Sequence, residues 1–146
     1  MARVVGINHV ALAVGDLDEA LGLYAQLFDF ELRGRSARMA FIDMGDQFLA
    51  LAEADSAPPD AERHFGLVVD DKESVREAVR AVEGLEELSS RGASLDFRDP
   101  WGNHFQVVDY RDVQFEHTPG VRRKLGIEGL EKSESARAEI EDRGLA

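Results

Sequence analysis

Two histidines stand at matching places in the chain. His9 opens the run His9-Val10-Ala11-Leu12-Ala13-Val14-Gly15-Asp16. His64 opens His64-Phe65-Gly66-Leu67-Val68-Val69-Asp70-Asp71, which lies over the first without a gap, 55 residues further on. A lone histidine on a strand is more often a hydrogen-bonded structural residue than a ligand. Two at equivalent positions of a repeat point to a pair of neutral imidazoles able to hold a divalent metal. The other histidines carry less signal: His104 follows a turn, with its side chain opposed to Phe105, and is expected at a rim or exposed, and His117 lies in the tail. There is no cysteine, so disulfide scaffolds, cysteine-ligated zinc, iron–sulfur clusters and thiol nucleophiles are all excluded. Arg33, Arg35 and Arg38 cluster in an otherwise acidic chain. They read as solvated strand ends, with capture of a carboxylate or phosphate as the functional alternative.

The elements that must carry these residues follow from periodicity and turn chemistry. Residues 4–14 form a β-rich run that stops at Gly15, and Asp16 with Glu19 three residues on marks a helix start. Leu17, Leu21, Tyr24 and Phe28 make the expected apolar stripe of that helix. Strands are expected over 30–33, 38–43 and 47–53, the last two joined by Met44-Gly45-Asp46. Ser56-Ala57-Pro58-Pro59-Asp60 reads as a linker. The pattern then restarts: a strand over 64–69, a helix of about twelve residues capped by Asp70 or Asp71 with Val75, Val79 and Val82 on one face, a short strand at Leu85 and Leu88, a strand over 94–98, the turn 99–103, and a last strand over 104–110. Gly45-Asp46-Gln47-Phe48 lies over Gly102-Asn103-His104-Phe105. Two matches in order favour a duplicated βαβββ unit. The expected fold class is therefore α+β, with repeats over about 4–53 and 62–110 in a domain spanning 1–110.

Residues 111–146 form a C-terminal extension. Thr118-Pro119 starts one helix and Gly126 stops it, and a second spans Ser133 to Arg143 and closes at Gly144. The thin apolar face of the second helix, Ala136 and Ile140, leaves two readings open: a frayed tail, or an arm packed on the core or on a second subunit.

Composition bounds the partners. Seventeen Lys and Arg against 29 Asp and Glu give a net charge of −12, which disfavours nucleic acid and anionic membrane surfaces. The opening residues lack the apolar stretch of a signal peptide, and no apolar run approaches membrane-spanning length, so a cytoplasmic domain is expected.

The segments "NHVALAV", "HFGLVVDD" and "DPWGNHFQVVD" together resemble the vicinal oxygen chelate superfamily, which includes glyoxalase I, bleomycin-resistance-type binding proteins and extradiol dioxygenases. The resemblance covers roughly residues 4–110, and the Asp-Pro-x-Gly-Asn turn before the last strand is its most specific part. It implies that each βαβββ unit curls into half a barrel, that the halves enclose a cavity, and that chains of this length form homodimers. It also implies metal positions at His9, His64 and Gln106, with a fourth at Ala50, or at Leu49 by the other turn anchor. Neither Ala50 nor Leu49 can bind a metal. Glu53 points to the face opposite Ala50 and reads as a strand-end residue in solvent. Trp101 replaces a usually polar turn residue and is expected at a cavity mouth or against a subunit.

Two functions follow from the resemblance. One is a metal-dependent lyase, isomerase or dioxygenase acting on a small substrate with vicinal oxygens, using Fe, Mn, Zn, Ni or Co. The other is a metal-free small-molecule binding protein of the bleomycin-resistance type. A site of two imidazoles and one neutral amide keeps the full charge of the ion, so weak affinity is expected, and Gln106→Glu is expected to tighten it.

Overall fold

A computed structural model describes residues 9–45, 47–56, 58–60, 63–90, 92 and 94–145. Residues 4–8 of the expected first strand, Asp46 of the first turn and Ala57 of the linker lie outside the described residues. The chain divides into two compact units between Pro58 and Pro59.

The first unit runs β1 (His9–Val14), α1 (Leu17–Tyr24), β2 (Leu32–Arg35), β3 (Met39–Asp43) and β4 (Phe48–Glu53). Its sheet has the order β1-β4-β3-β2, with β1 parallel to β4 and the remaining pairs antiparallel. Asp16 caps α1 by accepting the Glu19 backbone N–H. The buried residues of α1 are Leu17, Ala20 and Tyr24; Leu21 is half-buried, and Phe28 lies beyond the helix end. The apolar stripe is thus turned by one residue from the expected one. β2 begins two residues later than expected, where Leu32 meets Ile42 across the sheet, and the register shifts between Leu32 and Gly34.

The second unit repeats this order: β5 (Phe65–Val69), α2 (Lys72–Ala81), β6 (Glu86–Leu88), β7 (Leu95–Arg98) and β8 (His104–Asp109), with sheet order β5-β8-β7-β6. Asp71 caps α2, accepting from the backbone of Glu73 and Ser74 and from the Ser74 hydroxyl, and these bonds hold its carboxyl below the usual range. Val75 and Val79 are buried, whereas Val82 falls past the end of the helix. The start of α2 is tied to the end of β8 by Asp109, which accepts the Lys72 backbone N–H at 3.0 Å. Two copies of one βαβββ order confirm the duplicated α+β fold.

In each sheet one face is the core. Leu12, Val14, Leu49, Leu51, Ala40 and Ile42 are buried in the first unit with the apolar side of α1. In the second, Leu95, Phe97, Phe105 and Val107 are fully buried, and Phe97 stacks on Phe105 at 4.7 Å. Strand alternation then turns the intervening residues to the other face, where the chemistry lies.

Beyond β8 come a 3-10 turn (Tyr110–Asp112), α3 (Pro119–Leu125) and α4 (Glu134–Asp142). The caps are the expected ones: Thr118 and Ser133 start the helices, and Gly126 at φ +68° ends α3. The extension is packed rather than frayed. Ala136 and Ile140 are buried, and Lys132 donates to the carbonyls of Tyr110 (2.6 Å) and Val113 (3.1 Å). Its ammonium also sits 3.6 Å from the Tyr110 ring centroid. Burial pushes the Lys132 pKa down, and the two carbonyls and the ring face replace the lost water.

Among the described residues no helix is long and apolar enough to cross a membrane.

Candidate functional site

The turn before β8 is built by one side chain. Buried Asp99 accepts the backbone N–H groups of Trp101 (3.0 Å) and Asn103 (2.8 Å) and the Asn103 side-chain amide (2.8 Å). Gly102 follows at φ +88°, and a Cβ there would meet Pro59 Cα at 2.5 Å, so only glycine fits. The Asp60 N–H donates to the Gly102 carbonyl, fastening the linker to the turn. Trp101 is half-buried within this turn.

This construction sets which way β8 faces. Phe105 and Val107 enter the core, and His104 and Gln106 take the opposite face. Gln106 lies across from Gly66 of β5 on one side and Asp96 of β7 on the other. His64, just before β5, is exposed, and its ring lies 5.3 Å from that of His104. Of the expected metal residues, Gln106 is therefore on β8, and His64 immediately precedes β5, the strand parallel to it.

On the other side of Gln106, on β7, stands a residue that the sequence reading passed over. Asp96 is 7% exposed and accepts four contacts: Ser94 Oγ at 2.8 Å, His104 Nε2 at 3.1 Å, and Gln106 Nε2 at 3.4 Å from each carboxylate oxygen. His104, expected at the rim or exposed, keeps only 13% of its side chain in solvent. Its Nδ1 is buried and has no hydrogen-bond partner among the described residues. Proximity to the turn suggested exposure, but the cross-strand carboxylate draws the ring onto the sheet. A signal was available: Asp96 is a charged residue between Leu95 and Phe97, the two core residues of a short strand.

The same face of the first sheet is different. His9 stacks on Phe48 at 4.7 Å, and Phe48 meets Phe41 edge-on. Across from Ala11 lies Ala50, on the His9 face, whereas Leu49 is in the core. Ala50, not Leu49, is thus the position equivalent to Gln106. The register also corrects the ungapped match of the two turns. Residues 44–47 join Asp43 to Phe48, and residues 99–103 join Arg98 to His104, so Phe48 is the counterpart of His104 rather than of Phe105.

The arginine cluster is spent within the chain. Arg33 donates to Asp43 and to the carbonyls of Gly45 and Gln47, closing the hairpin from below Phe48. Arg35 pairs with Asp18, and Arg38 with Glu53, which is half-buried. The strand-end reading holds for all three.

Among the described residues no three His, Asp or Glu side chains are already assembled around an ion position. The donors nonetheless suit a borderline divalent metal. Asp96 is an acceptor only, so it must face the NH2 end of Gln106, and the amide oxygen is directed away from it. An imidazole and a carbonyl oxygen on neighbouring strands are ligands such metals take. His9 is carried by the other unit, at the place in its sheet that His64 holds in its own.

The comparisons agree with this architecture. Residues 6–107 match the model of the Glyoxalase/Bleomycin resistance protein/Dioxygenase superfamily, and the chain belongs to that superfamily. Among solved structures it is similar to the fosfomycin resistance protein FosX of Listeria monocytogenes, with a TM-score of 0.64 and 20% identity over 84% of this chain and 99% of that one. FosX of Mesorhizobium loti gives a TM-score of 0.59 and 22% identity over 72% and 92% of the two chains. A superfamily enzyme of Burkholderia phytofirmans PsJN gives a TM-score of 0.56 and 18% identity over 70% and 96%. A variant of the Listeria protein was crystallised with Mn(II) and 1S,2S-dihydroxypropylphosphonic acid.

Proposed function

We propose that the chain is a metal-dependent enzyme of this superfamily acting on a small substrate through two neighbouring oxygens, with His9, His64 and Gln106 as ligands of one divalent ion. The observation that carries this reading is the second sheet's outward face, where His64 precedes β5 with its ring 5.3 Å from that of His104, Gln106 follows on the neighbouring strand β8, and the amide oxygen of Gln106 is turned away from Asp96. The Mn(II) and the vicinal diol bound by the Listeria relative support the metal and the substrate class. When bound, the ion would polarise the two substrate oxygens. The chain's own groups fix the ligands: Asp99 holds the turn that sets the facing of β8, and the His9 ring is held flat against Phe48. Iron, manganese, zinc, nickel and cobalt are all compatible with this set.

A second reading has its own support. The first sheet presents Ala11, Ala50, Phe41 and Phe48 around His9, an apolar surface with no donor at Ala50. That surface suits a metal-free protein that binds a small aromatic or cationic molecule, the cation drawn by the net charge of −12. Titration of chelator-free protein with each of iron, manganese, zinc, nickel and cobalt, wild type against His64→Ala, separates the two. His64-dependent binding supports the enzyme; its absence for all five metals leaves the binding protein.

A homodimer is part of the proposal. β1 and β2 are edge strands of the first sheet, and β5 and β6 of the second, and free edges require pairing or cover. Light scattering at micromolar concentration should return twice the chain mass. The extension from residue 111 onward is proposed as a separate addition to a 1–110 domain.

A further inference from the structure

We infer that Asp96 is a positioning residue for Gln106, and that the Asp96–Gln106 pair does the work of a single ligating carboxylate. The inference rests on the proposed metal role of Gln106 and assigns a function to a residue outside that ligand set.

Asp96 is 7% exposed, so its charge must be met by donors. Four contacts reach its two oxygens, from Ser94, His104 and, twice, Gln106. An ionised carboxylate has about four acceptor sites, so Asp96 is saturated and has little capacity left as a base or as a direct ligand. Its influence has to pass through the groups that donate to it.

Gln106 is the one of these that belongs to the proposed ligand set. A free glutamine amide can turn either end outward. Beside a carboxylate only one orientation is tolerable, with NH2 inward and Oε1 outward. Asp96 therefore selects the metal-binding end of Gln106 before any ion arrives. It also places a full negative charge one residue behind a neutral ligand, polarising the amide so that Oε1 carries more electron density. The cross-strand register that puts residue 96 opposite residue 106 makes the pairing possible. The first sheet has no such pair, because Phe41 lies opposite Ala50 there.

The pair alters what Gln106→Glu does. With Asp96 in place, two carboxylates would lie side by side in the metal-free protein, and like charges in contact repel. The clean exchange is Asp96→Asn with Gln106→Glu, which moves the charge from strand β7 to strand β8 and reverses the donor and acceptor.

Two measurements on the full chain test this. The first is hydrogen exchange of the Gln106 side-chain NH2 by 15N NMR without metal. In the wild type it should exchange at least about tenfold more slowly than that of exposed Gln47, because a buried anion holds it. Asp96→Ala should bring it to within about twofold of Gln47, and Ser94→Ala should leave it slow. Equal protection in wild type and Asp96→Ala overturns the inference. Should Asp96→Ala fail to fold, Asp96→Asn answers instead: a partial loss of protection is expected, and an unchanged rate overturns it. The second is Mn(II) affinity by calorimetry. Asp96→Asn should weaken binding about tenfold, in the range seen for groups that orient ligands, and Asp96→Asn/Gln106→Glu should restore it. A double variant as weak as Asp96→Asn overturns the inference. If wild-type protein binds no Mn(II), the metal reading fails, and the exchange measurement still decides whether Asp96 orients Gln106.

Discussion

The two sheets share strand order, strand sense and helix placement, yet their outward faces have little in common. The first presents alanines and phenylalanines with one stacked imidazole, and the Arg33–Asp43 pair beside Phe48. The second presents His64 beside His104, and His104 and Gln106 bonded to buried Asp96. The inward faces match far better, with apolar side chains alternating under a helix in both. A duplicated unit must keep the residues that pack, because a void or a misfit costs stability at once. The alternate residues escape that constraint, since successive strand side chains point to opposite faces. The outward imidazoles and the buried carboxylate network are accordingly more developed in the second copy of the repeat.

Paired substitutions test how far the asymmetry extends. The largest contrast is expected at the histidines and the positions beside them. His64→Ala should remove detectable Mn(II) binding. Ala50→Glu, which puts a carboxylate at the first-sheet counterpart of Gln106, should tighten binding while lowering the melting temperature, because residue 50 is 2% exposed. If Ala50→Glu leaves affinity unchanged, the two outward faces do not serve one ion.

Next come the cores, where the two units should behave alike. Phe97→Ala removes a fully buried ring and should cost about 3–5 kcal/mol, and Leu51→Ala about 2–5 kcal/mol, by chemical denaturation. A much smaller loss at Leu51 would show that the first unit lacks the cooperative packing of the second.

The turns should then differ. Gly45 and Gly102 both have φ near +90°, so alanine is strained at either. At Gly102 a Cβ would also collide with the Pro59 backbone, and Gly102→Ala should cost more than the roughly 1–3 kcal/mol of backbone strain alone. Equal losses at the two glycines would mean that the Pro59 contact relaxes freely.

The smallest effect is expected at the helix caps. Asp71 accepts three bonds where Asp16 accepts the Glu19 N–H, and its carboxyl is held below the usual range chiefly by the Ser74 hydroxyl. A lowered folded-state pKa contributes stability that is present above about pH 4 and disappears as pH falls through the folded value. The acid limb of a pH–stability curve should therefore be shallower in Asp71→Ala. An acid limb identical to wild type would show that the Ser74 bond is not maintained in solution.

Periodicity and turn chemistry made nearly all of the fold legible. Asp16 and Thr118 cap the helices they were expected to cap, Asp71 is the one of the two expected aspartates that caps α2, Ser133 caps the helix it was expected to begin, and the strands of the second unit begin within a residue of expectation. Register was harder to read. The two glycine turns differ in where glycine falls, so matching them without a gap put Phe48 on the wrong face, and only cross-strand pairing with His9 corrects it. The candidate site was legible only in its positions. Gln106 lies on an identifiable strand and His64 just before one, but Asp96 is paired with a neighbour ten residues away across a turn. Local patterns carry no record of such a pair.

The seat of Pro59 against Gly102 also bears on how this chain could be divided into fragments. The contact belongs to the second unit, although Pro59 sits at the junction between the repeats. A gene cut after residue 58 leaves the later fragment with Pro59 and with the Asp60 contacts to Gly102 and Arg98. A cut two residues further on strips the brace from the turn that aims His104 and Gln106. For reassembly of this protein from two separately expressed pieces, the earlier cut is the one that keeps the second piece's turn intact.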